Sequence, residues 1–200
     1  MSAYNPLDME NLAISIANKL LEKPAVGHGD IGDFRGAGVY AIYYRGALPA
    51  YAPLAEPSNH DNAIYVGKAV PSGGRKGVEV ATTGNTTALR NRLREHVRSL
   101  TQVQTDDFRL EDFRFRYLVV EPIWIPLGES VMIQRSQPVW NALVDGFGNH
   151  DPGKGRINGV RARWDTIHPG RPWADKYPAR AESAQNIADD ALEYLRSRLG

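Results

Sequence analysis

The chain of 200 residues has no cysteine and only five histidines. Without thiols it can form neither a disulfide framework nor a thiolate metal site, and its scattered histidines are the only nitrogen ligands left. His28, His60 and His168 show no ligand spacing to one another. No apolar run approaches the roughly 20 residues that a membrane span needs. The start MSAYNPLDMEN lacks the basic residues and apolar core of a signal peptide. These absences lead us to expect a cytoplasmic protein with no membrane association. Net charge is nearly absent as well, at +1, so the chain lacks the overall basicity of many nucleic-acid binders.

Nucleotide-binding loops are missing too. The stretch AIYVGKAVPSGGRKG, residues 63–77, sets glycines and lysines after a β-rich run. A phosphate loop needs two glycines five residues apart, followed by Lys and then Ser or Thr. Here Gly67-Lys68 comes first and Gly73-Gly74 follows, so the order is wrong. No G-x-G-x-x-G occurs, and the preceding segment is Pro-rich rather than a βαβ unit.

What is present suits one soluble domain over 1–200. Hydrophobic residues make up 42%, enough for a single core. The charge is unevenly placed. Residues 68–98 carry seven Lys and Arg against Glu79 and Glu95, and residues 154–180 carry seven against Asp165 and Asp175. Two basic segments in an otherwise acidic chain suit one anion-facing surface, although a charge run is more often a solvated face.

After Pro6, Leu12, Ile16 and Leu20 recur at spacings of four and predict an amphipathic helix ending at Pro24. GVYAIYYR at 38–45 and AIYVGKA at 63–69 read as strands that pair antiparallel, and the Pro-rich 46–62 between them as an ordered insertion or loop. Beyond the glycines of 73–84, a helix capped by Thr86 or Thr87 runs through TALRNRLREHVRSL with Leu89, Leu93, Val97 and Leu100 inward. Arg92 and His96, four apart, share a face. FRFRYLVV at 113–120 reads as a half-covered strand, PLGESVMIQRSQ as a helix, VWNALVDGFGNHDPGKGR as loop and the last twenty residues as a closing helix. The order predicts an α+β fold, a small antiparallel three-stranded sheet flanked by helices, with an N-terminal helix and a loop-rich C-terminal extension.

Gly38-Val39-Tyr40, Tyr65-Val66-Gly67, Arg92, His96, Glu129 and Asn141, in that order, resemble the GIY-YIG nuclease superfamily. Each tripeptide has Val for Ile, which keeps a β-branched strand residue. GVYAIYYRG, IYVGKAVP, LRNRLREH, VDGFGNHDPGKGR and RWDTIHPGRPWADK extend the resemblance to the type II restriction endonucleases of this superfamily, the branch that cuts CCGCGG. It covers about 36–176. The resemblance implies a catalytic core at about 36–143 and a DNA-contacting extension at about 144–200. The 25-residue spacing of Tyr40 and Tyr65 is long for the superfamily and marks 46–62 as an insertion.

Phosphodiester hydrolysis must deprotonate a water, meet charge on the phosphate oxygens and stabilise the leaving oxygen. By resemblance, Tyr40 activates water, His96 accepts or relays its proton, and Tyr65 positions phosphate or water. A free tyrosine titrates near ~10 and is a poor base unless positive neighbours favour the phenolate. Arg92, His96 and Lys68 are expected to supply that charge. Arg92 also matches the scissile phosphate with its fixed fork. Glu129 would bind one divalent ion, Mg²⁺ with Mn²⁺ able to substitute, and Asn141 would orient Glu129. For Lys68, phosphate contact, tyrosine activation and strand-end solubility all stay open.

Taken singly, each residue has a plainer reading: strand tyrosines, a helix-face histidine, one arginine among four, a turn asparagine, and a Glu129 favoured by the dipole in its helix's first turn. Only the ordered set is specific. His150 and Asp151 suit a DNA-contacting loop, while Trp140, Trp164 and Trp173 suit the core. Arg and Lys satisfy the two acceptors of guanine, so Lys154, Arg156, Arg161 and Arg163 are candidates for base or phosphate contact. A palindrome cut on both strands implies a homodimer on double-stranded DNA, and the resemblance to a restriction enzyme implies a prokaryotic cell that also holds a cognate methyltransferase. The rivals are a repair or homing nuclease of the same superfamily and a non-catalytic DNA-binding module on the same fold.

Overall fold

A computed structural model of the chain describes residues 7–71, 85–103, 105, 107–149 and 159–200. The glycines of 73–84, together with His150, Asp151, Lys154 and Arg156, lie outside the described residues.

Three strands, β1 (Gly38–Tyr44), β2 (Tyr65–Ala69) and β3 (Phe113–Val119), form one antiparallel sheet in the order β2-β1-β3. The expected α+β class and antiparallel pairing are both found. Central β1 is buried along its whole length because both faces of the sheet are covered. Its period of two therefore divides two cores rather than core from solvent. Val39, Ala41 and Tyr43 face a cluster built with α1 (Met9–Leu21) and α4 (Ile125–Ser136). Tyr40, Ile42 and Tyr44 face a larger cluster that includes Leu89 and Leu93 of α3 (Ala88–Thr101), Trp140, Trp164, and Ile187 and Leu195 of α7 (Ala184–Leu199). One core thus takes side chains from the strands and from the C-terminal extension alike.

The segment 46–62 is ordered. Two 3₁₀ turns, Pro49–Tyr51 and Pro57–Asn59, flank the one-turn α2 (Ala52–Ala55), and the segment packs on α7. Tyr51 and Leu54 are buried within it, and the Tyr51 hydroxyl lies 2.7 Å from Nε2 of buried His168. A hydrogen bond at this site satisfies two polar groups that burial would otherwise leave without water. The stretch 139–156, read as loop, contains α5 (Val139–Ala142), and α6 (Arg163–Ile167) lies beyond it in the loop-rich extension.

α5 seals the open edge of β2. The Trp140 amide donates to the Ile64 carbonyl at 3.0 Å. The Asn141 side chain both accepts from the Val66 amide and donates to the Val66 carbonyl, each at 2.8 Å. Unpaired edge groups invite pairing with another chain, and here a side-chain amide takes the place of a fourth strand.

Candidate active site

β1 and α3 bring three of the expected residues together. The Tyr40 hydroxyl lies 2.6 Å from Nε2 of His96, and Arg92 Nε donates to the same hydroxyl at 3.3 Å. Arg92 and His96 stand one turn apart on α3, so the four-residue spacing delivers both to one phenol. Tyr40 is wholly buried and His96 almost so. Tyr65 enters from β2, its ring 6.2 Å from that of Tyr40 and 5.4 Å from that of His96.

Gly67 is opposite Tyr40 in the β1–β2 register. A Cβ there would come within 2.4 Å of the Tyr40 hydroxyl, which accounts for the glycine in Tyr65-Val66-Gly67 by contact alone.

Burial pushes the Tyr40 phenol well up from its ordinary value, the neighbouring Tyr65 adds to this, and Arg92 only partly opposes it. Tyr65 is raised by burial too, again against Arg92. The expectation that positive neighbours favour a Tyr40 phenolate is corrected here, since desolvation of the charged form outweighs one guanidinium. Burial thus favours the neutral phenol at Tyr40.

Glu129 stands apart from this trio and is paired with Lys68, Nζ to carboxylate 2.7 Å. Lys68 is opposite Val39 in the register, so it belongs to the α4 face of the sheet, away from the Tyr40 hydroxyl. The Glu129 charge still acts on Tyr65, raising it further. α4 begins at Ile125, and its first turn holds no acid. Helix-dipole preference therefore does not explain Glu129. Asn141 does not orient Glu129 as expected but braces Val66, between Tyr65 and Gly67.

Several contributors escape a linear reading. The Gly148 carbonyl accepts from Arg92 at 2.7 Å, and Glu95 takes another Arg92 nitrogen at 3.2 Å. Phe147 stacks on His96, centroids 4.5 Å apart at 19°, and meets Tyr65 edge-on at 4.9 Å. A Cβ on Gly148 would lie 2.5 Å from the Tyr65 hydroxyl. The only trace in the sequence is the paired glycine spacing of GFGN at 146–149.

Of the basic residues of the extension, Arg163 binds inward to Leu143 O, Glu182 and Asp190. Arg161 pairs with Asp175 at 3.4 Å and is about one-quarter exposed. Trp140 and Trp164 are core residues as expected, and Trp173 is half-buried. Among the described residues no cluster of three or more His, Asp or Glu could enclose a metal ion, and no helix is long and apolar enough to cross a membrane.

The family model of the Eco29kI GIY-YIG domain matches residues 32–195. No curated protein matches the chain closely. Since that match spans most of the chain and takes in the tyrosine pair, the Arg92–His96 helix and Glu129, the chain belongs to the Eco29kI GIY-YIG domain family and is a nuclease with DNA as its substrate.

Proposed function

We propose that the chain is a type II site-specific deoxyribonuclease that hydrolyses phosphodiester bonds of double-stranded DNA with one divalent ion per active site. The observation that carries this reading is the buried Tyr40–His96 contact at 2.6 Å with Arg92 on the same hydroxyl. A phenol held between an imidazole and a guanidinium can take a proton from water while giving its own to the imidazole, and no free phenolate is needed. Arg92, 17% exposed at its side chain, turns its remaining surface to the scissile phosphate. Tyr65 orients the phosphate or the attacking water.

GIY-YIG nucleases generally use a divalent metal. The Glu129 carboxylate already holds a cation, the Lys68 ammonium, so its position suits positive charge. A single carboxylate fits a hard ion such as Mg²⁺ or Mn²⁺, which fills its shell with waters and phosphate oxygens. When bound, the ion would stabilise charge on the leaving oxygen. Glu129 would hold the ion, and Lys68 beside it would meet a phosphate.

The proposal extends to a GC-rich palindrome, CCGCGG, cut by a homodimer with one site per strand, in a cytoplasm that also holds a cognate methyltransferase. The segment 36–143 is the catalytic core and 144–200 the DNA-contacting extension. Lys154, Arg156 and Arg161 contact bases or phosphates, and Arg163 supports that surface from within.

Incubation of the purified protein with plasmid and Mg²⁺ tests this. Discrete bands with one terminal sequence support it. A smear or nicking points to a less specific nuclease, and binding without cleavage overturns the enzymatic reading.

A further inference from the structure

The segment RWDTIHPGRPWADK at 163–176 has no part in the chemistry above, yet it carries a buried cation, Arg171, with five side-chain hydrogen bonds. Arg171 is 1% exposed, and its guanidinium lies between the rings of Trp164 and Trp173 at 4.4 and 4.6 Å. Nε and one terminal nitrogen donate to the two oxygens of Asp165, 2.6 Å each. The terminal nitrogens also donate to three carbonyls of one loop: Gly146 at 2.9 Å, Phe147 at 3.1 Å and Asn149 at 3.3 Å.

The residue these contacts skip is Gly148, whose carbonyl holds Arg92. Phe147, in the same loop, is stacked on His96. One side of the loop is therefore tied to Arg171 and the other touches two residues of the candidate site. Well-packed apolar side chains often stabilise a core as well as a buried ion pair does. What the pair adds is shape, because a planar fork of five donors fixes several acceptors in one geometry.

We propose that Arg171, held by Asp165, is a positioning residue that fixes the 146–149 loop so that the Gly148 carbonyl and the Phe147 ring set Arg92 and His96. Its consequence for cleavage rests on the nuclease reading, whereas its effect on the loop does not.

Arg171→Lys keeps a cation for Asp165 and loses the fork. Hydrogen exchange of the DNA-free variant is expected to speed up by about tenfold or more across 143–149, with β1, β2 and β3 unchanged. With enzyme in excess, the cleavage rate on DNA is expected to fall by roughly 10- to 100-fold while the Kd for the same duplex without metal stays within about threefold. A purely structural loss would lower affinity and rate together and deprotect the sheet. Unchanged exchange in 143–149, or a loosened loop with a wild-type cleavage rate, overturns the proposal. If Arg171→Lys does not fold, Arg171→Met with Asp165→Leu removes both charges and is read against the same outcomes. Failure of the wild type to cut any duplex would sink the nuclease reading instead, and the exchange pattern alone then decides whether Arg171 holds the loop.

Discussion

The Tyr40 hydroxyl sits 2.6 Å from Nε2 of His96, in a site where the tyrosine has no exposed surface and the histidine 2%. Proton transfer along so short a contact needs no diffusing base. Tyr40→Phe is expected to lower the single-turnover rate by about 10²- to 10⁴-fold, the usual contribution of a positioned acid or base. Binding of metal-free duplex should change by less than about threefold, since the phenol makes no direct claim on the phosphate. A Tyr40→Phe rate within tenfold of wild type would remove Tyr40 as the water activator.

A metal ion at Glu129 would compete with Lys68 for the same carboxylate. The pair is partly exposed, so it is worth no more than about 1 kcal/mol, or roughly a fivefold effect on an equilibrium. Lys68→Met should therefore tighten Mn²⁺ binding to the DNA-free protein by at most about fivefold, measured by titration. Glu129→Ala should abolish both that binding and cleavage, while metal-free DNA binding persists. Cleavage by Glu129→Ala at the wild-type rate would dismiss the metal assignment.

Gly67 leaves no room for a methyl group beneath the Tyr40 hydroxyl. Gly67→Ala must displace the phenol from His96, at about 1–3 kcal/mol for overpacking. We expect a folded protein with a lowered denaturation midpoint and a cleavage rate close to that of Tyr40→Phe. If cleavage stays near wild type, the Tyr40–His96 contact is dispensable.

Stability should fall on both sides of neutral pH. Burial raises Tyr40, Tyr43, Tyr51 and Tyr65, and lifts Tyr44 to about 12. The unfolded chain loses these protons near ~10 while the folded one keeps them, so stability is full below that and declines as pH rises through the folded values. Burial, then the charge of Arg171, pushes His168 down to about 3. An unfolded histidine protonates near ~6.5, so its contribution is full above that and is lost as pH falls toward about 3. Urea midpoints against pH should show this plateau. Ionisation of all nine tyrosines well before unfolding in alkali would contradict it.

Asn141→Leu leaves the Val66 amide and carbonyl without their side-chain partner. An unsatisfied, partly buried backbone group costs about 1–3 kcal/mol. Thermal unfolding should show the loss, and hydrogen exchange should accelerate at Val66 ahead of its neighbours. A midpoint unchanged from wild type would show that water replaces the amide.

Periodicity marked α1 and α3 because each carries an apolar stripe of its own, and β1 and β2 were legible because β-branched and aromatic residues crowd them. It missed α5 and α6, whose few residues are held by distant partners rather than by any local pattern. The segment 46–62 was legible as a Pro-rich interruption between two strands but not as a packed element, since Tyr51 is secured by His168, 117 positions away.

The residue types of the candidate site and their order were present in the sequence by themselves, as was the pairing of Arg92 with His96 on one helical face. Only the tertiary structure decided what those residues do to one another. Burial made Tyr40 a phenol where charge counting suggested a phenolate. The sheet's alternation put Lys68 on Glu129 and away from Tyr40. Asn141 reached Val66 across 75 positions, and Arg92 reached Gly148 across 56. Local sequence encodes helix and strand through spacings of two to four, whereas desolvation and long-range hydrogen bonds depend on which segments the folded core brings together.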